Sequence, residues 1–426
     1  MRRGDPDMTA QGPARTLNLL VYSIHYYPEQ IGIGVFNHGM VEYLADRGHH
    51  VTVVTAFPWY PSWKVERPYV GRWSMTETKG NVTIMRSFVP SLKRITARSR
   101  IMHESVFTLS SFCHLARLLF KKVDAVIAVC PPVQLGFSAA VFCGLKRIPF
   151  IFHIQDLQID AAADLHLIKN RFVLSLLRSW ERFLFRRASV LSTISRGMKK
   201  RIEAKGNFKN KVHMFPNWVD TRFLKPLPRD NPFRESQGIG REKFLVLYAG
   251  NIGEKQGVDI LADVALLTRD REDIVYVIVG EGAGLGRLKQ RLQSSPAGQI
   301  KLLPLQPREM LPFMLAAADL SLVIQKRGVG DFLMPSKLLN IMGSARPVVA
   351  AAETDCELAR CIQESGCGEA VPPENPKLLA GAILKFYDDP ALREKCGSSG
   401  RSFVETHFSY QNVMTDFENV LLNLKN

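Results

Sequence analysis

The amino-acid sequence predicts an α/β protein of two doubly wound, Rossmann-like domains that face each other across a cleft. Short apolar runs alternate with helix-length segments throughout, which is typical of βαβ units and a parallel sheet. The series stops at a stretch rich in Pro, Gly and charge, residues 225–241, and then begins again. A chain of 426 residues is also longer than one hydrophobic core usually serves.

The apolar runs mark the expected strands in order. In the first half they cover residues 17–24, 50–56, 82–88, 124–129, 149–154 and 189–194. In the second half they cover residues 243–250, 274–280, 300–305, 319–324 and 346–351. We therefore expect a disordered tail at 1–16, an N-terminal domain at 17–224, a linker at 225–242, a C-terminal domain at 243–400, and a helix at 401–426 that packs back on the first domain.

One stretch of 21 residues, 125–145, carries no charge and is long enough to suggest a membrane span. Pro131 and Pro132 interrupt it, and proline breaks a continuous helix. The sequence therefore favours a buried strand, a turn and a buried helix, as a parallel sheet covered on both faces requires.

The net charge of +16 is concentrated in the first half of the chain. Residues 1–230 hold 34 Lys and Arg against 16 Asp and Glu, a charge of +18, and the remainder carries −2. This asymmetry favours an anionic partner, either nucleic acid or the cytoplasmic leaflet of a membrane, with scattered solvated charge as the simpler alternative. In residues 93–122 and 165–187 the basic side chains interleave with apolar ones. That pattern favours an anionic membrane surface over nucleic acid.

Seven cysteines are scattered without a C-x-x-C pair, and the N-terminus has no apolar segment typical of a secretory signal. Both features favour a reducing compartment. We expect a cytoplasmic protein that is attached peripherally to the inner face of the cell membrane.

Glycine-rich turns between a strand and a helix are the first candidate binding elements, since their backbone N–H groups can approach an anion. Gly32 and Gly34 occupy such a turn in the first half. In the second half, YAGNIGEKQG places Gly250, Asn251 and Lys255 in another, where a diphosphate could be cradled. Turn geometry alone would also explain these glycines. There is no Walker A motif.

Polar residues at other strand ends extend the candidate site. In YVIVGEGAGLG, Glu281 follows a strand, but Leu285 stands where a dinucleotide fingerprint needs its third glycine, which disfavours a nicotinamide enzyme. In MPSKLLN, Pro335 marks a helix start, with Ser336 and Lys337 in the first turn and Asn340 one turn further. In FIFHIQDLQID, a strand ends at His153 and Asp156, which we name as catalytic candidates. An ordinary capped helix and an ordinary buried histidine are the simpler alternatives.

Taken together, HYYPEQIGIG, HIQDLQIDAA, FPNWVD, YAGNIGEKQGVDI, YVIVGEGAG, LVIQKRG and MPSKLLNIM resemble the colanic-acid-type, fucosyltransferase-like branch of the family-4 glycosyltransferases. The resemblance runs in order over roughly residues 17–420. It implies the two-domain GT-B fold, a nucleotide-sugar donor, no metal or other cofactor, and retention of anomeric configuration. The only D-x-D motif, Asp5 and Asp7, lies in the expected tail.

The resemblance also assigns residues, with two departures from the family pattern. It implies that Gly32 and Gly34 approach the transferred sugar or its diphosphate and that Lys255 binds the diphosphate. Phe332 and Asn340 replace the family's pair of glutamates, and Asn251 replaces its arginine, so either Arg327 or Lys337 is expected to supply the missing charge. The family's histidine aligns with His153 or with Gln155.

The sequence thus predicts a glycosyltransferase that moves a sugar from a GDP- or UDP-linked donor to a lipid-linked glycan acceptor. The second domain would bind the donor and the first would present the acceptor. A nucleotide-sugar epimerase of similar architecture and a nucleic-acid-binding protein are the alternatives.

Overall fold

The computed structural model describes residues 15–29, 32–164, 168, 170–294, 299–328 and 336–424. These residues divide into two compact units. The first unit contains the described residues of 1–193, 202–213 and 416–426, and the second contains those of 194–201 and 214–415. The predicted disordered tail lies outside the described residues as far as residue 14.

The first unit is built on one sheet. Its strands are β1 (Asn18–Tyr22), β2 (His50–Ala56), β3 (Ser74–Lys79), β4 (Val82–Ser87), β5 (Ala125–Cys130), β6 (Phe150–Ile154), β7 (Val190–Thr193) and β8 (Val212–Met214). They lie in the order β3-β4-β2-β1-β5-β6-β7-β8. The pairings from β4 to β7 are parallel, and only the β3–β4 pairing is antiparallel among those with a defined register. From β4 to β7 this is the Rossmann strand order, as predicted.

Helices cover this sheet, because parallel strands need crossover connections. They are α1 (Ile33–Asp46), α2 (Ala97–Leu118), α3 (Gln134–Lys146), α4 (Gln158–Asp164) and α5 (Arg171–Arg187). The next helix, α6 (Arg196–Ala204), belongs to the second unit as far as residue 201 and to the first unit from residue 202. The start of α2 is fixed by a capping box between Thr96 and Ser99, and the start of α5 by the Asn170 side chain, which accepts from the N–H of Phe172.

The second unit contains a six-stranded sheet. Its strands are β9 (Phe244–Ala249), β10 (Ile274–Val279), β11 (Ile300–Leu303), β12 (Leu320–Ile324), β13 (Val348–Ala351) and β14 (Gly368–Val371), in the order β11-β10-β9-β12-β13-β14. All five pairings are parallel. Alternate residues of β9 serve opposite faces: Leu245 and Leu247 join one core cluster, and Phe244 and Val246 join the other. Both predicted Rossmann-like sheets are therefore present.

The helices of the second unit lie before, between and after its strands along the chain. They are α7 (Pro232–Ser236), α8 (Ile260–Leu267), α9 (Leu285–Ser294), α10 (Leu311–Ala317), α11 (Ser336–Gly343), α12 (Glu357–Ser365), α13 (Pro376–Asp388), α14 (Pro390–His407) and α15 (Tyr410–Leu422). From residue 416 onward, α15 belongs to the first unit. There the buried Glu418 carboxylate is hydrogen-bonded by Tyr43, Arg47 and His49 at 3.1–3.3 Å.

Two sequence expectations need correction. Residues 225–242 are not a linker between the units, because α7 lies in this segment and Phe233 and Ile239 belong to the core of the second unit. Arg234, only 2% exposed, is held there by Asp319 at 2.6 Å. The sequence did not reveal this packing, because the apolar residues of the segment are too widely spaced to show a helical or strand period.

The second correction concerns the charge-free stretch. A strand, a turn and a helix do occupy residues 125–145, as β5 and α3. The strand is entirely buried, but α3 is not, since Phe137, Val141 and Leu145 are 53%, 46% and 68% exposed. In the part of the chain that the structure describes, no helix combines the length and apolar character needed to cross a membrane.

Candidate functional site

The candidate donor site is assembled from loops at the carboxyl edge of the second sheet. Strands β9 and β12 are neighbours there, and the strand order reverses between them. In open α/β sheets this reversal leaves a crevice in which ligands bind. Gly250 and Asn251 follow β9, Glu281 follows β10, and Arg327 lies three residues after β12. The fold thus brings these four predicted residues to one edge of the sheet.

Glycines allow the loops after β9 and β10 to touch. Gly280 has a φ of +151°, and a Cβ atom there would lie 1.9 Å from the carbonyl oxygen of Gly250. The N–H of Ile252 donates to the Glu281 carbonyl at 2.8 Å, and the N–H of Gly284 donates back to the Ile252 carbonyl. The glycines of both motifs therefore serve a close approach of backbone to backbone. The Glu281 side chain is exposed beside this junction.

Lys337, in the first turn of α11, reaches beneath the same junction. Its Nζ donates to Tyr248 Oη at 2.8 Å and lies 4.4 Å from the centre of the Tyr248 ring. Burial lowers the pKa of Lys337 to about 8. A Cβ on Gly250, whose φ is +135°, would lie 2.2 Å from Lys337 Cε, so glycine leaves room for the lysine. Tyr248 Oη in turn donates to the Asn251 carbonyl at 2.7 Å.

The remaining polar candidates, Asn340 and Lys255, lie on α11 and on the loop after β9. Asn340 and Lys337 line a small cavity of about 40 Å³ with Ala249 and Ser321. Lys255 is exposed, and its carbonyl accepts from the N–H of Lys326 at 2.9 Å, which joins the loops after β9 and β12. The edge therefore carries two lysines on the loops after β9 and β12 and a third in the first turn of α11, an arrangement suited to a diphosphate.

Arg327 and Ser336 both lie at the surface of the second unit. Arg327 is exposed and lies 3.9 Å from the Glu374 carboxylate, so Lys337 is the better placed of the two proposed substitute cations. Ser336 is exposed at the first residue of α11. Phe332 and Pro335 lie outside the described residues, so the structure does not test the expectations that rest on them.

In the first unit, the turn that carries Gly32 and Gly34 already holds an acidic side chain. A Cβ on Gly34 would lie 2.9 Å from Glu29 Cβ and 3.1 Å from Glu29 Oε2, and one on Gly32, whose φ is +70°, would lie 3.5 Å from the Tyr60 ring. The Glu29 carboxylate is 2.8 Å from His25 Nδ1 and accepts from the N–H of Tyr60. A carboxylate thus lies beside the first turn of α1. This placement does not fit the predicted contact of the two glycines with a diphosphate.

The predicted catalytic residues lie at the end of β6. His153 is 2% exposed, and its Nδ1 lies 2.9 Å from Ser192 Oγ on the adjacent strand β7. Burial lowers its pKa to about 3, so the ring is neutral at physiological pH and a weak base. Its surroundings are those of a sheet-interior residue and do not fit the predicted catalytic role. Gln155 is also buried, whereas Asp156 is half-buried beyond the strand.

An aromatic cluster beside Glu29 was not predicted from the sequence. Trp59 packs against His25, Trp63 and His103, with ring centroids 5.0, 4.6 and 4.3 Å apart. His103 is fully buried, and burial lowers its pKa to about 4. Among the described residues, neither ring nitrogen of His103 nor the indole N–H of Trp59 has a hydrogen-bond partner. Buried polar groups are usually paired, so this cluster is suited to a polar ligand or water. The aromatic-rich segment FPWYPSW, residues 57–63, is the feature of the sequence that could have indicated this cluster.

The described residues contain no group of three or more His, Cys, Asp or Glu side chains that could hold a metal ion. Asp5 and Asp7 of the D-x-D motif lie outside them.

Two Rossmann-like sheets, with a lysine-rich glycine edge on the second, define a glycosyltransferase of the GT-B class. Two family models agree with this: a glycosyl transferase 4-like domain matches residues 32–218, and glycosyl transferases group 1 matches residues 230–403. The chain is 34% identical over 409 residues to the colanic acid biosynthesis glycosyl transferase WcaI of Escherichia coli K12, covering 95% of this chain and 99% of that one. The chain belongs to this group 1 family of glycosyltransferases, and it is an enzyme.

Solved structures show the same fold. Sucrose-phosphate synthase from Thermosynechococcus elongatus superposes with a TM-score of 0.72 at 16% identity, covering 95% of this chain and 98% of that one. HepE from Anabaena, in complex with UDP and glucose, superposes with a TM-score of 0.67 at 14% identity, covering 96% and 100%. The predicted fold class is confirmed.

Proposed function

We propose that the enzyme transfers a sugar from a GDP- or UDP-linked donor, with GDP-fucose as one candidate, to a lipid-linked saccharide in exopolysaccharide or cell-surface glycan synthesis. The observation that carries the proposal is the gathering of Lys255, Lys326 and Lys337 around glycine turns at the switch point of the second sheet. The name of the Escherichia coli relative supports the polysaccharide context. The complex of HepE with UDP and glucose supports the donor class.

In this proposal, the lysines stabilise the departing nucleoside diphosphate. Negative charge grows on the diphosphate oxygen as its bond to the sugar C1 breaks, and fixed cations at that point lower the barrier without a metal ion. Asn251 and Asn340 offer amide groups to sugar or ribose hydroxyls. Glu281, exposed beside the junction, is a candidate acceptor for another hydroxyl.

We also propose that the reaction retains the configuration at C1. A new bond then forms between C1 and the acceptor oxygen on the side that the diphosphate leaves. The proton of the acceptor hydroxyl passes to the departing diphosphate oxygen. A buried, neutral His153 is compatible with this route, because the route asks for no protein base. Asp156, half-buried at the end of β6, remains a candidate for contact with the acceptor.

The first unit is proposed to present the acceptor at the inner face of the cell membrane, with the enzyme in the cytoplasm. The residues of the first unit, 1–193, 202–213 and 416–426, hold 28 Lys and Arg against 16 Asp and Glu, and this charge of +12 supports an anionic surface as the partner. The family assignment favours sugar transfer over the two alternatives, an epimerase and a nucleic-acid-binding protein.

Two measurements test the donor proposal. Thermal unfolding with GDP, UDP and their sugars should show a rise in Tm with the correct base and none with the other, because a ligand that binds only the native state stabilises it. Incubation with the radiolabelled sugar nucleotide and a membrane lipid extract should then move label into lipid. Label that remained in an epimerised nucleotide sugar would instead support the epimerase. No rise in Tm with either base would contradict the proposal.

A further inference from the structure

Helix α3 exposes an apolar face to solvent. Its exposed residues are Phe137, Val141, Gly144 and Leu145, with no polar side chain among them. The three larger ones are four residues apart, so they form one stripe along the helix. A surface helix of a soluble protein normally exposes charged and polar residues on that side. Core packing therefore does not explain this stripe.

Helix α5 continues the apolar surface beside α3. Phe172, Leu176, Trp180 and Phe183 are exposed on successive turns of the helix, and the rings of Phe137 and Phe183 are 6.3 Å apart. Arginines line one border of this stripe: Arg171, Arg178, Arg182 and Arg186. Leu184 and Phe185 of α5 are buried.

Helix α2 also packs against α3. It exposes Met102, Leu109 and Phe112, and Phe120 just beyond its end is 91% exposed. Lys146 at the end of α3 donates to the carbonyls of Leu119 and Lys121 at 2.9 Å, which fixes the ends of the two helices together. We call the exposed surface of α2, α3 and α5 the three-helix face.

The three-helix face is strongly cationic. Residues 93–122, 134–147 and 171–187 contain fourteen Lys and Arg side chains and two acidic ones, Glu104 and Glu181. Neither acid is exposed: Glu181 is buried in an ion pair with Lys205, and burial raises the pKa of the half-buried Glu104. A two-fold dimer through this face would bring the same cations together, so a second copy of the chain is a poor occupant.

We infer that the three-helix face docks on an anionic lipid leaflet, with the α3 stripe and the α5 aromatics entering the headgroup boundary. Apolar and aromatic side chains bordered by arginine are the pattern of helices that lie in this boundary. The α3 stripe extends the interface beyond the two basic segments that the sequence indicated. The inference rests on the proposed attachment of the first unit to the membrane but not on the proposed sugar transfer, so a failed vesicle experiment would leave the donor and transfer assays standing.

Vesicle co-sedimentation tests the inference with matched variants. Wild type should pellet with phosphatidylglycerol–phosphatidylcholine vesicles and not with phosphatidylcholine alone. The triple variant Phe137→Ser, Val141→Ser, Leu145→Ser should bind at least about tenfold more weakly, equivalent to about 1.4 kcal/mol. The control Leu267→Ser, Leu305→Ser, Leu378→Ser alters three exposed leucines of the second unit and should bind as wild type. Equal Tm values would show that both variants are folded.

A charge variant and a depth measurement complete the test. The triple variant Arg178→Gln, Arg182→Gln, Arg186→Gln should bind the anionic vesicles more weakly than wild type at low salt. At high salt the two proteins should bind about equally, because salt screens the charges that the variant lacks. Bromine-labelled lipids should quench the fluorescence of wild type more than that of Trp180→Phe. Three results would overturn the inference: equal supernatant recovery with both vesicle types, an α3 variant that binds as wild type, or a dimer in solution that the α3 variant abolishes.

Discussion

As the pH rises, deprotonation of Lys337 should lower the affinity for the donor diphosphate and raise the free energy of unfolding. Its pKa is lowered from 10.5 to about 8 by burial beside Tyr248. Above pH 8 the amine loses its charge, and a diphosphate loses one charge-assisted contact worth roughly 2–3 kcal/mol. We therefore expect the affinity for the nucleoside diphosphate to fall by about one to two orders of magnitude between pH 7.5 and 10.

The stability of the free enzyme should change the other way. Between the folded pKa of about 8 and the unfolded value of 10.5, the unfolded state binds more protons at this lysine, so its contribution to the free energy of unfolding rises with pH. A shift of this size corresponds to at most about 3 kcal/mol. In Lys337→Met this rise should be absent, because the side chain cannot titrate.

Isothermal titration calorimetry with UDP and GDP, at pH 7.5 and at steps up to pH 10, provides the assay. The nucleotide base also titrates in this range, and comparison with Lys337→Met at each pH cancels that contribution. The ratio of the two Kd values should be large at pH 7.5 and approach one at pH 10. A ratio that stayed constant would refute the assignment of the lysine to the diphosphate.

The other predictions concern charge, metal and packing. Lys255→Ala should lower kcat/KM by roughly 30- to 150-fold, the equivalent of about 2–3 kcal/mol. The exposed control Lys289→Ala should leave kcat/KM unchanged. Near-wild-type activity in Lys255→Ala would show that this lysine does not bind the diphosphate. Transfer should survive dialysis against EDTA, and a loss reversed by Mn²⁺ would contradict the metal-free mechanism. Gly34→Ala should destabilise the fold by about 1–3 kcal/mol in urea unfolding, because its Cβ would lie 2.9 Å from Glu29. Gly381→Ala, which meets nothing within 4 Å, should cost nothing, and equal midpoints for the two alanine variants would contradict the packing argument.

Most of the fold could be predicted because parallel sheets covered on both faces leave apolar runs in the sequence. All eleven predicted strands are present, with ends within two residues of those expected. The strands that were missed lack such a run. β3 reads SMTETK and is largely exposed, whereas β8 and β14 have three and four residues. The assignment of residues 225–242 to a linker failed because Phe233 and Ile239 are too isolated to give a period.

That Gly250, Asn251, Glu281 and Arg327 lie at one edge of the sheet was predictable, because these residues follow strands whose carboxyl ends share that edge. What the sequence could not show is which side chain enters the space left by a glycine. Lys337 was placed in the first turn of α11, but its path beneath Gly250 depends on the junction of loops distant in sequence. His153 shows the same limit, since only the β6–β7 pairing reveals that its ring faces Ser192 within the sheet.

The two glycine turns have a similar sequence pattern and opposite electrostatics. In the first unit, the carboxylate of Glu29 lies against Gly34 beside α1, and a diphosphate there would meet a buried negative charge. In the second unit, the ammonium of Lys337 lies against Gly250. A diphosphate is repelled by the first arrangement and attracted by the second. Glu29 can instead orient His25, which is partly exposed beside the aromatic cluster of Trp59. These placements favour a donor on the second unit and a neutral, hydroxyl-bearing acceptor on the first.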